Sequence, residues 1–263
     1  MPVVTVAHSP LAPTRESVDL YYRDVGSGVP PIILLHGGWG YEFYPFDVAM
    51  QAMPERRFVI PDRTGYGKST PVDALPDRFH VAAAQETEAL LDALAIDRCI
   101  LWGHSDGAVI AMILALRDPK RYAGIIVEAL HVDHVKPRSR SFFEMMAGDP
   151  DGFGERVTSK LAAEHGDRWR AVLHMGGHAW LDIARTPDVD FYDRRLAELA
   201  VPTLLLHGAD DPRTEPGELD RVRSEVRDVE VAMITGGGHC PHSERRVADE
   251  VARVAKTFVD RVA

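Results

Sequence analysis

Short apolar runs alternate with longer segments of helical periodicity along most of this chain. The apolar runs lie near 32–35, 58–61, 99–103, 124–130, 202–207 and 229–235, and residues 17–24, before the turn Gly26-Ser-Gly28, are also predicted to form a strand. The segments with apolar residues at helical spacing lie near 43–53, 78–95, 106–117, 215–226 and 244–262. Runs of the first kind predict strands and segments of the second kind predict helices. Strands that alternate with helices form a mostly parallel sheet covered on both faces, so the fold class is predicted to be α/β.

Residues 133–195 interrupt this alternation, because no strand pattern occurs in them. Their aromatic and methionine side chains are Phe142, Phe143, Met145, Met146, Trp169, Met175, Trp180, Phe191 and Tyr192, mixed with charges. A structureless loop of this length is unusual in a compact domain. We therefore predict a helical insertion at 133–195, with 1–132 and 196–263 forming the core. The pair Gly176-Gly177 is expected to mark a break or hinge between two of its helices.

Composition narrows the class of protein. With 263 residues, 45% of them hydrophobic, the chain can form one α/β domain whose core needs no disulfide or metal. A formal net charge of −10 argues against nucleic acid or an anionic membrane as a partner. The start of the chain shows no signal-peptide pattern, and the apolar run after Ser105 is too short to span a bilayer. The two cysteines suit a reducing compartment, so a cytoplasmic location is expected.

Residues 103–107 read Gly-His-Ser-Asp-Gly, a G-x-S-x-G motif. A predicted strand leads into the motif and a predicted helix leads out of it, which is the setting of a nucleophile elbow. Glycines are needed there because the turn is tight and neighbouring backbone passes close to it. Ser105 is therefore the candidate nucleophile, at the carboxyl edge of the sheet and near the first N–H groups of a helix.

A nucleophilic serine needs a base, and the base needs an acid that orients it. Asp210 and Asp211 follow the predicted strand 202–207, and His239 follows the strand 229–235 and three glycines. Both strands end at the edge where ligands bind in open α/β sheets. The order Ser, Asp, His is the order found in hydrolases built on this elbow. His239 is the candidate base, and either aspartate is a candidate for the acid.

Four segments, taken together, resemble the α/β-hydrolase superfamily over nearly the whole chain. They are His36-Gly-Gly-Trp-Gly40, Asp62-Arg-Thr-Gly-Tyr-Gly-Lys-Ser69, the elbow, and the paired tail of Gly208-Ala-Asp-Asp211 with Gly238-His239. The chain is similar to proline iminopeptidases, small carboxylesterases and esterases of the valacyclovir-hydrolase type. The resemblance implies an α/β-hydrolase fold in which 133–195 forms a lid over the site.

The resemblance also implies roles for individual residues. It favours Asp211 over Asp210 as the acid, because Asp211 completes the family's G-x-x-D pattern. The oxyanion would be held by the backbone N–H of Asp106 and by one N–H of the 36–40 loop, first Gly38 and then Trp39. Asp106 would bind a substrate ammonium group, as in similar Ser-Asp-Gly elbows. The alternative is that this carboxylate only stabilises the first turn of its helix. Trp39 would flank the acyl pocket or pack on the lid.

The resulting hypothesis is a serine hydrolase that cleaves a small carboxylic ester, aminoacyl ester or amide through an acyl-enzyme, with no cofactor. Alternatives on the same triad are an iminopeptidase, a C–C bond hydrolase and a cofactor-free perhydrolase. An alternative of another class is a ligand receptor that keeps the fold without catalysis. No metal site is expected, since His239 and His242 lack a third ligand. The only expected partner is the small-molecule substrate, and the sequence leaves the oligomeric state open.

Overall fold

The computed structural model describes residues 2–263. The strands are β1 (Val3–Ala7), β2 (Ser17–Val25), β3 (Ile32–Leu35), β4 (Phe58–Pro61), β5 (Cys99–His104), β6 (Tyr122–Glu128), β7 (Thr203–Gly208) and β8 (Val229–Ile234). The α-helices are α1 (Asp47–Ala52), α2 (Phe79–Ala93), α3 (Asp106–Arg117), α4 (Arg140–Gly148), α5 (Glu155–His165), α6 (Trp169–Arg185), α7 (Glu218–Glu225) and α8 (Ala248–Val262). Short 3-10 helices occupy Pro137–Ser139, Pro150–Phe153, Gly166–Arg168, Leu196–Glu198 and Pro241–Ser243.

The strands form one sheet in the order β1-β2-β4-β3-β5-β6-β7-β8. β1 pairs with β2, and β2 with β4, in antiparallel fashion. From β4 to β8 every pairing is parallel. The predicted α/β-hydrolase fold with a mostly parallel sheet is therefore confirmed, and the carboxyl ends of β3, β5, β6, β7 and β8 lie along one edge.

The sheet separates two apolar layers, because neighbouring residues of a strand point to opposite faces. On one face, alternate residues of the central strands pack with α2 and α3; they include Ile33, Leu35, Leu101, Val127 and Leu205. On the other face their neighbours pack with α1 and α8; they include Ile32, Leu34, Ile100, Trp102, Ile126 and Leu204. Burial on both faces explains why these strands appear in the sequence as continuous apolar runs rather than as alternating patterns.

The structure adds one strand that the sequence pattern did not predict. Strand β1 lies at the edge of the sheet and only Val6 of its five residues is buried. An edge strand with one neighbour and little buried surface has no strong hydrophobic pattern, so periodicity alone misses it. Within residues 2–263, none of the helices combines the length and the apolar character that crossing a membrane requires.

Helices α4, α5 and α6 all lie within the predicted insertion, between β6 and β7. Its bounds at 133 and 195 stay a prediction. The expected break at Gly176-Gly177 is wrong, because α6 continues unbroken through both glycines. The glycines serve packing instead. A Cβ at Gly177 would lie 2.6 Å from the backbone nitrogen of Ala147 and 2.8 Å from the Cβ of Met146, so α4 crosses α6 at backbone distance.

Candidate active site

Ser105 lies in a sharp turn between β5 and α3. Its φ of 54° and ψ of −117° are rare for a residue with a side chain, and such strain concentrates at functional sites. The flanking glycines make the turn sterically possible. A Cβ at Gly103 would overlap the carbonyl oxygen of Gly107, and a Cβ at Gly107 would overlap that of Leu35. The turn therefore presents the Ser105 hydroxyl at the carboxyl edge of the sheet.

Two loops bring His239 and Asp211 to this hydroxyl. The Nε2 atom of His239 lies 3.2 Å from Oγ of Ser105. Its Nδ1 atom lies 2.9 Å from Oδ2 and 3.1 Å from Oδ1 of Asp211. Because an ionised carboxylate only accepts hydrogen bonds, Nδ1 carries the proton and Nε2 is free to accept one from Ser105. The structure thus joins the three residues that the sequence predicted, in the predicted order.

The two aspartates after β7 differ in what they contact. Asp211 is buried and also accepts a hydrogen bond from the backbone N–H of Arg213 at 2.8 Å. Asp210 is exposed, and its backbone N–H donates to the carbonyl of Gly237. The geometry therefore favours Asp211 as the partner of His239.

Burial and the contact between the two side chains together set the pKa values of Asp211 and His239. Although burial alone would raise the pKa of the Asp211 carboxyl, the charge and hydrogen bond of His239 outweigh it and lower that pKa. Burial and then the charge of Arg213 lower the pKa of His239, although Asp211 opposes both. At neutral pH the imidazole is consequently unprotonated, which a general base requires.

The loop at 36–40 lies against Ser105 and is held by the buried side chain of Arg63. The guanidinium of Arg63 donates to the carbonyl of His36 at 2.6 Å and to that of Gly37 at 3.3 Å. In a trans peptide the N–H points opposite to the carbonyl. Because Arg63 fixes the Gly37 carbonyl, the N–H of Gly38 points away from the guanidinium. Sequence reasoning missed Arg63, since nothing in its pattern distinguishes it from a surface arginine.

Asp106 begins α3, so its N–H has no acceptor within the helix. Its carboxylate is buried, and Oδ1 lies 3.2 Å from Nε2 of His80 and accepts from Nε1 of Trp180 at 3.1 Å. Oδ2 lies 3.8 Å from Arg63. Burial would raise the pKa of this carboxyl, but His80, Arg63 and Trp180 together lower it. The role as an ammonium site stays a prediction, and these contacts show that the charge already has partners within the protein.

A second imidazole, that of His131, contacts the candidate nucleophile. Its Nε2 atom lies 3.4 Å from Oγ of Ser105, and its ring stacks near that of His239 at a centroid distance of 5.7 Å. Burial lowers its pKa well below the usual value, with further contributions from Lys136 and His239. Sequence reasoning missed His131. The signal was present, since His131 follows β6 at the same edge as Asp211 and His239.

The cavity over Ser105 is small, with a volume of about 30 Å³. Its lining includes the predicted residues Gly38, Trp39, Ser105, Asp106 and His239, together with Tyr44, His104, His131, Phe142, Phe143, Met146, Gly176, Trp180 and Arg213. The insertion helices α4 and α6 therefore supply much of the wall. Trp39 lines the cavity and also packs on Phe142 and Phe153. Its contact with an acyl group stays a prediction.

Among residues 2–263, no group of three or more histidine, cysteine, aspartate or glutamate side chains is arranged to hold a metal ion. His242 is instead bound to the buried carboxylate of Glu128, at 2.6 Å from Nδ1. Both cysteines, Cys99 and Cys240, are buried and free.

Comparisons with known proteins identify the family of this chain. The model of the Alpha/beta hydrolase family matches residues 32–254. The chain is 27% identical over 249 residues to the serine hydrolase BPHL of Mus musculus, covering 92% of this chain and 83% of that protein. It is 27% identical over 228 residues to the bifunctional esterase/perhydrolase DCH of Acinetobacter calcoaceticus, covering 75% of this chain and 80% of that protein.

The fold is also similar to a solved structure, that of a thermophilic esterase from Thermogutta terrifontis. The two superpose with a TM-score of 0.76 at 20% identity, over 100% of this chain and 99% of the other. At this level of identity the similarity concerns the fold alone.

Proposed function

This chain belongs to the alpha/beta hydrolase family and is a hydrolase, and from that premise we propose that it cleaves a small carboxylic ester with Ser105 as nucleophile. One observation carries the proposal. Oγ of Ser105 lies 3.2 Å from Nε2 of His239, while Nδ1 of the same ring lies 2.9 Å from Asp211. This relay can remove the hydroxyl proton as the hydroxyl attacks a carbonyl carbon.

Acylation begins when Oγ of Ser105 attacks the ester carbonyl and His239 takes its proton. The imidazolium that forms is stabilised by the carboxylate of Asp211, which stays ionised. His239 then gives the proton to the leaving alcohol, and the carbon–oxygen bond to that alcohol breaks. Ser105 is left as an ester of the acyl group.

The negative charge on the carbonyl oxygen is placed against two backbone N–H groups, those of Asp106 and Gly38. The first has no acceptor within α3, and the second is oriented by the contact of Arg63 with the neighbouring carbonyl. Losing one such donor typically costs about 3 kcal/mol of transition-state stabilisation. We assign Trp39 to the pocket wall, with its N–H as the second choice for this role.

Deacylation repeats the same steps with water. His239 takes a proton from a water molecule as the water oxygen attacks the acyl-enzyme carbonyl. His239 then gives this proton to Oγ of Ser105, and the bond between Oγ and the acyl carbon breaks. The acid is released and the resting state is restored. No step draws on a group outside the chain, the substrate and water.

The test is hydrolysis of p-nitrophenyl acetate and butyrate by the wild type and by Ser105→Ala, with labelling by a fluorophosphonate. We expect turnover and labelling in the wild type and neither in the variant. Labelling without turnover would contradict the ester assignment while leaving a competent nucleophile. Absence of both would favour the alternative of a ligand receptor on this fold.

The neighbouring aspartates provide a matched control for the relay. Asp211→Asn removes the carboxylate that orients His239, and we expect kcat to fall by about 10³- to 10⁴-fold. Asp210→Asn makes the same chemical change one residue away, on an exposed side chain. We expect its kcat to differ from that of the wild type by less than about threefold. Equal losses in the two variants would refute the assignment of Asp211.

A further inference from the structure

The side chain of Arg213 lines the cavity over Ser105, and no carboxylate of the described residues pairs with it. Its backbone N–H donates to Asp211, which fixes the residue next to the relay. Its side chain lies over the ring of Phe142, with Cζ 3.6 Å from the ring centroid. Phe142 in turn stacks on Trp39, at 5.3 Å between centroids and 23° between planes. Packing therefore holds this cation at a defined place in the wall.

The stacking leaves the hydrogen-bonding edge of the guanidinium unused. A guanidinium has five N–H donors in its plane, and Phe142 covers only a face. Among residues 2–263, no acceptor or carboxylate partner of this side chain is found, whereas Arg63 donates to two carbonyls and Arg117 to both oxygens of Glu88. A half-buried arginine with open donors at a substrate cavity is suited to bind a carboxylate.

The charges of the other lining residues agree with an anionic ligand. Among residues 2–263, the only carboxylate in the wall is that of Asp106, whose contacts are His80, Trp180 and Arg63. The cation of Arg213 is not compensated in this way, and its charge reaches Tyr44, His104, His131, His239 and Cys240 around the cavity. A guanidinium without a carboxylate contact among the described residues therefore lies in the cavity wall, although the whole chain carries a formal charge of −10.

We propose that the substrate of this site is an ester whose acyl chain carries a carboxylate, and that Arg213 binds this carboxylate. The inference rests on the proposed ester hydrolysis and names its substrate class. It assigns Arg213 to specificity rather than to the chemical step, because the proton transfers run through His239. A carboxylate bound there would stack beside Phe142 and pair with the guanidinium edge.

The first test separates binding from turnover by using Ser105→Ala. Monoethyl glutarate and ethyl valerate have the same chain length and differ in the terminal carboxylate. We expect Ser105→Ala to bind monoethyl glutarate at least tenfold more tightly than ethyl valerate in calorimetry. Adding Arg213→Gln should remove that preference, and adding Arg213→Lys should restore part of it. Equal affinity for the two esters in Ser105→Ala would overturn the proposal.

The second test measures hydrolysis of the same esters by pH titration in enzymes that retain Ser105. Arg213→Gln should reduce kcat/KM for monoethyl glutarate at least tenfold more than for ethyl valerate, mainly through KM. Arg245→Gln removes an equal charge from an exposed position and should leave kcat/KM for both esters unchanged. Hydrolysis of both esters without Arg213-dependent preference would refute the carboxylate site and keep the esterase. Preferential binding of monoethyl glutarate without hydrolysis of either ester would refute the proposed ester hydrolysis and keep the carboxylate site.

Discussion

The Nε2 atom of His131 lies 3.4 Å from Oγ of Ser105, nearly as close as the 3.2 Å that separates this oxygen from Nε2 of His239. The two imidazoles differ in what lies behind them. Nδ1 of His239 faces Asp211, whereas Nδ1 of His131 is buried and has no partner among residues 2–263. A buried acceptor without a partner is less costly than a buried N–H without one. His131 is therefore expected to carry its proton on Nε2 and to donate it to Ser105.

This arrangement predicts unequal roles for the two histidines. His131→Phe removes one hydrogen bond to Oγ, worth about 1 kcal/mol, so kcat/KM should fall by about fivefold. His239→Phe removes the base and should cost about 10³-fold or more. Steady-state kinetics on one ester, with folding checked by circular dichroism, compares the variants. A loss in His131→Phe as large as that in His239→Phe would show that His131 acts as a base.

The contacts of Asp106 predict a structural effect that is independent of the substrate's charge. In Asp106→Asn the ion pair with Arg63 is lost and the hydrogen bonds from His80 and Trp180 weaken, so the free energy of unfolding should fall by about 2 kcal/mol. The N–H of residue 106 remains. We expect kcat/KM for a neutral acyl ester and for an α-aminoacyl ester to fall by similar factors.

The ammonium hypothesis makes the opposite prediction for the same variant. If Asp106 binds a substrate ammonium, the loss on the aminoacyl ester must exceed the loss on the neutral ester by about tenfold or more. p-Nitrophenyl butyrate and the p-nitrophenyl ester of 2-aminobutyrate differ only in the amino group, so the ratio of their kcat/KM values decides between the two interpretations.

The parts of this site that the sequence predicted are those set by local steric constraints. The helix predicted at 106–117 is observed over Asp106–Arg117, because the tight turn of the Gly-x-Ser-x-Gly motif at 103–107 fixes where it begins. His239 and the pair Asp210-Asp211 were predictable because they follow the carboxyl ends of neighbouring parallel strands, whereas the choice of Asp211 within the pair came from the resemblance. Apart from β1, which the pattern missed, the strands were predicted to within about two residues.

The residues that the sequence did not predict depend on contacts between distant segments. Arg213 acquires a role only because Phe142 of the insertion lies beneath it, and Arg63 only because the 36–40 loop turns its carbonyls inward. Gly177 shows the same limit. Two adjacent glycines favour a break when read locally, whereas in the structure they permit α4 to approach α6. Periodicity contains no information on which helix packs against which.

Glu164 predicts a pH dependence of stability. Its carboxylate accepts hydrogen bonds from the backbone N–H groups of Glu42 and Phe43 at 3.0 Å each. Burial nevertheless raises the pKa of this carboxyl from 4.5 to about 7, and nearby Asp62 and Glu42 add to the effect. The folded state therefore binds the proton more tightly than the unfolded state. The free energy of unfolding should fall as pH rises from about 4.5 to about 7, by up to about 3 kcal/mol from this group.

The measurement is urea unfolding between pH 4.5 and 8 for three proteins. Glu164→Gln removes the titrating carboxyl, so the free energy of unfolding should fall less steeply with pH than in the wild type. Glu155→Gln, at an exposed position on the same helix, should leave the slope unchanged. A wild-type slope that persists in Glu164→Gln would assign the pH dependence to other groups.

The contact between α4 and α6 predicts which of two glycines tolerates alanine. In Gly177→Ala the new methyl group would lie 2.6 Å from the nitrogen of Ala147 and 2.8 Å from the carbonyl oxygen of Phe143, and neither backbone atom can move without displacing α4. We expect a loss of about 1–3 kcal/mol in unfolding free energy. Because Phe143 and Met146 of α4 line the cavity, KM should change as well.

In Gly148→Ala, at the end of α4, nothing lies within 4 Å of the new methyl group, so stability should be unchanged or slightly higher. Equal urea midpoints for the two variants would mean that the helices separate at little cost.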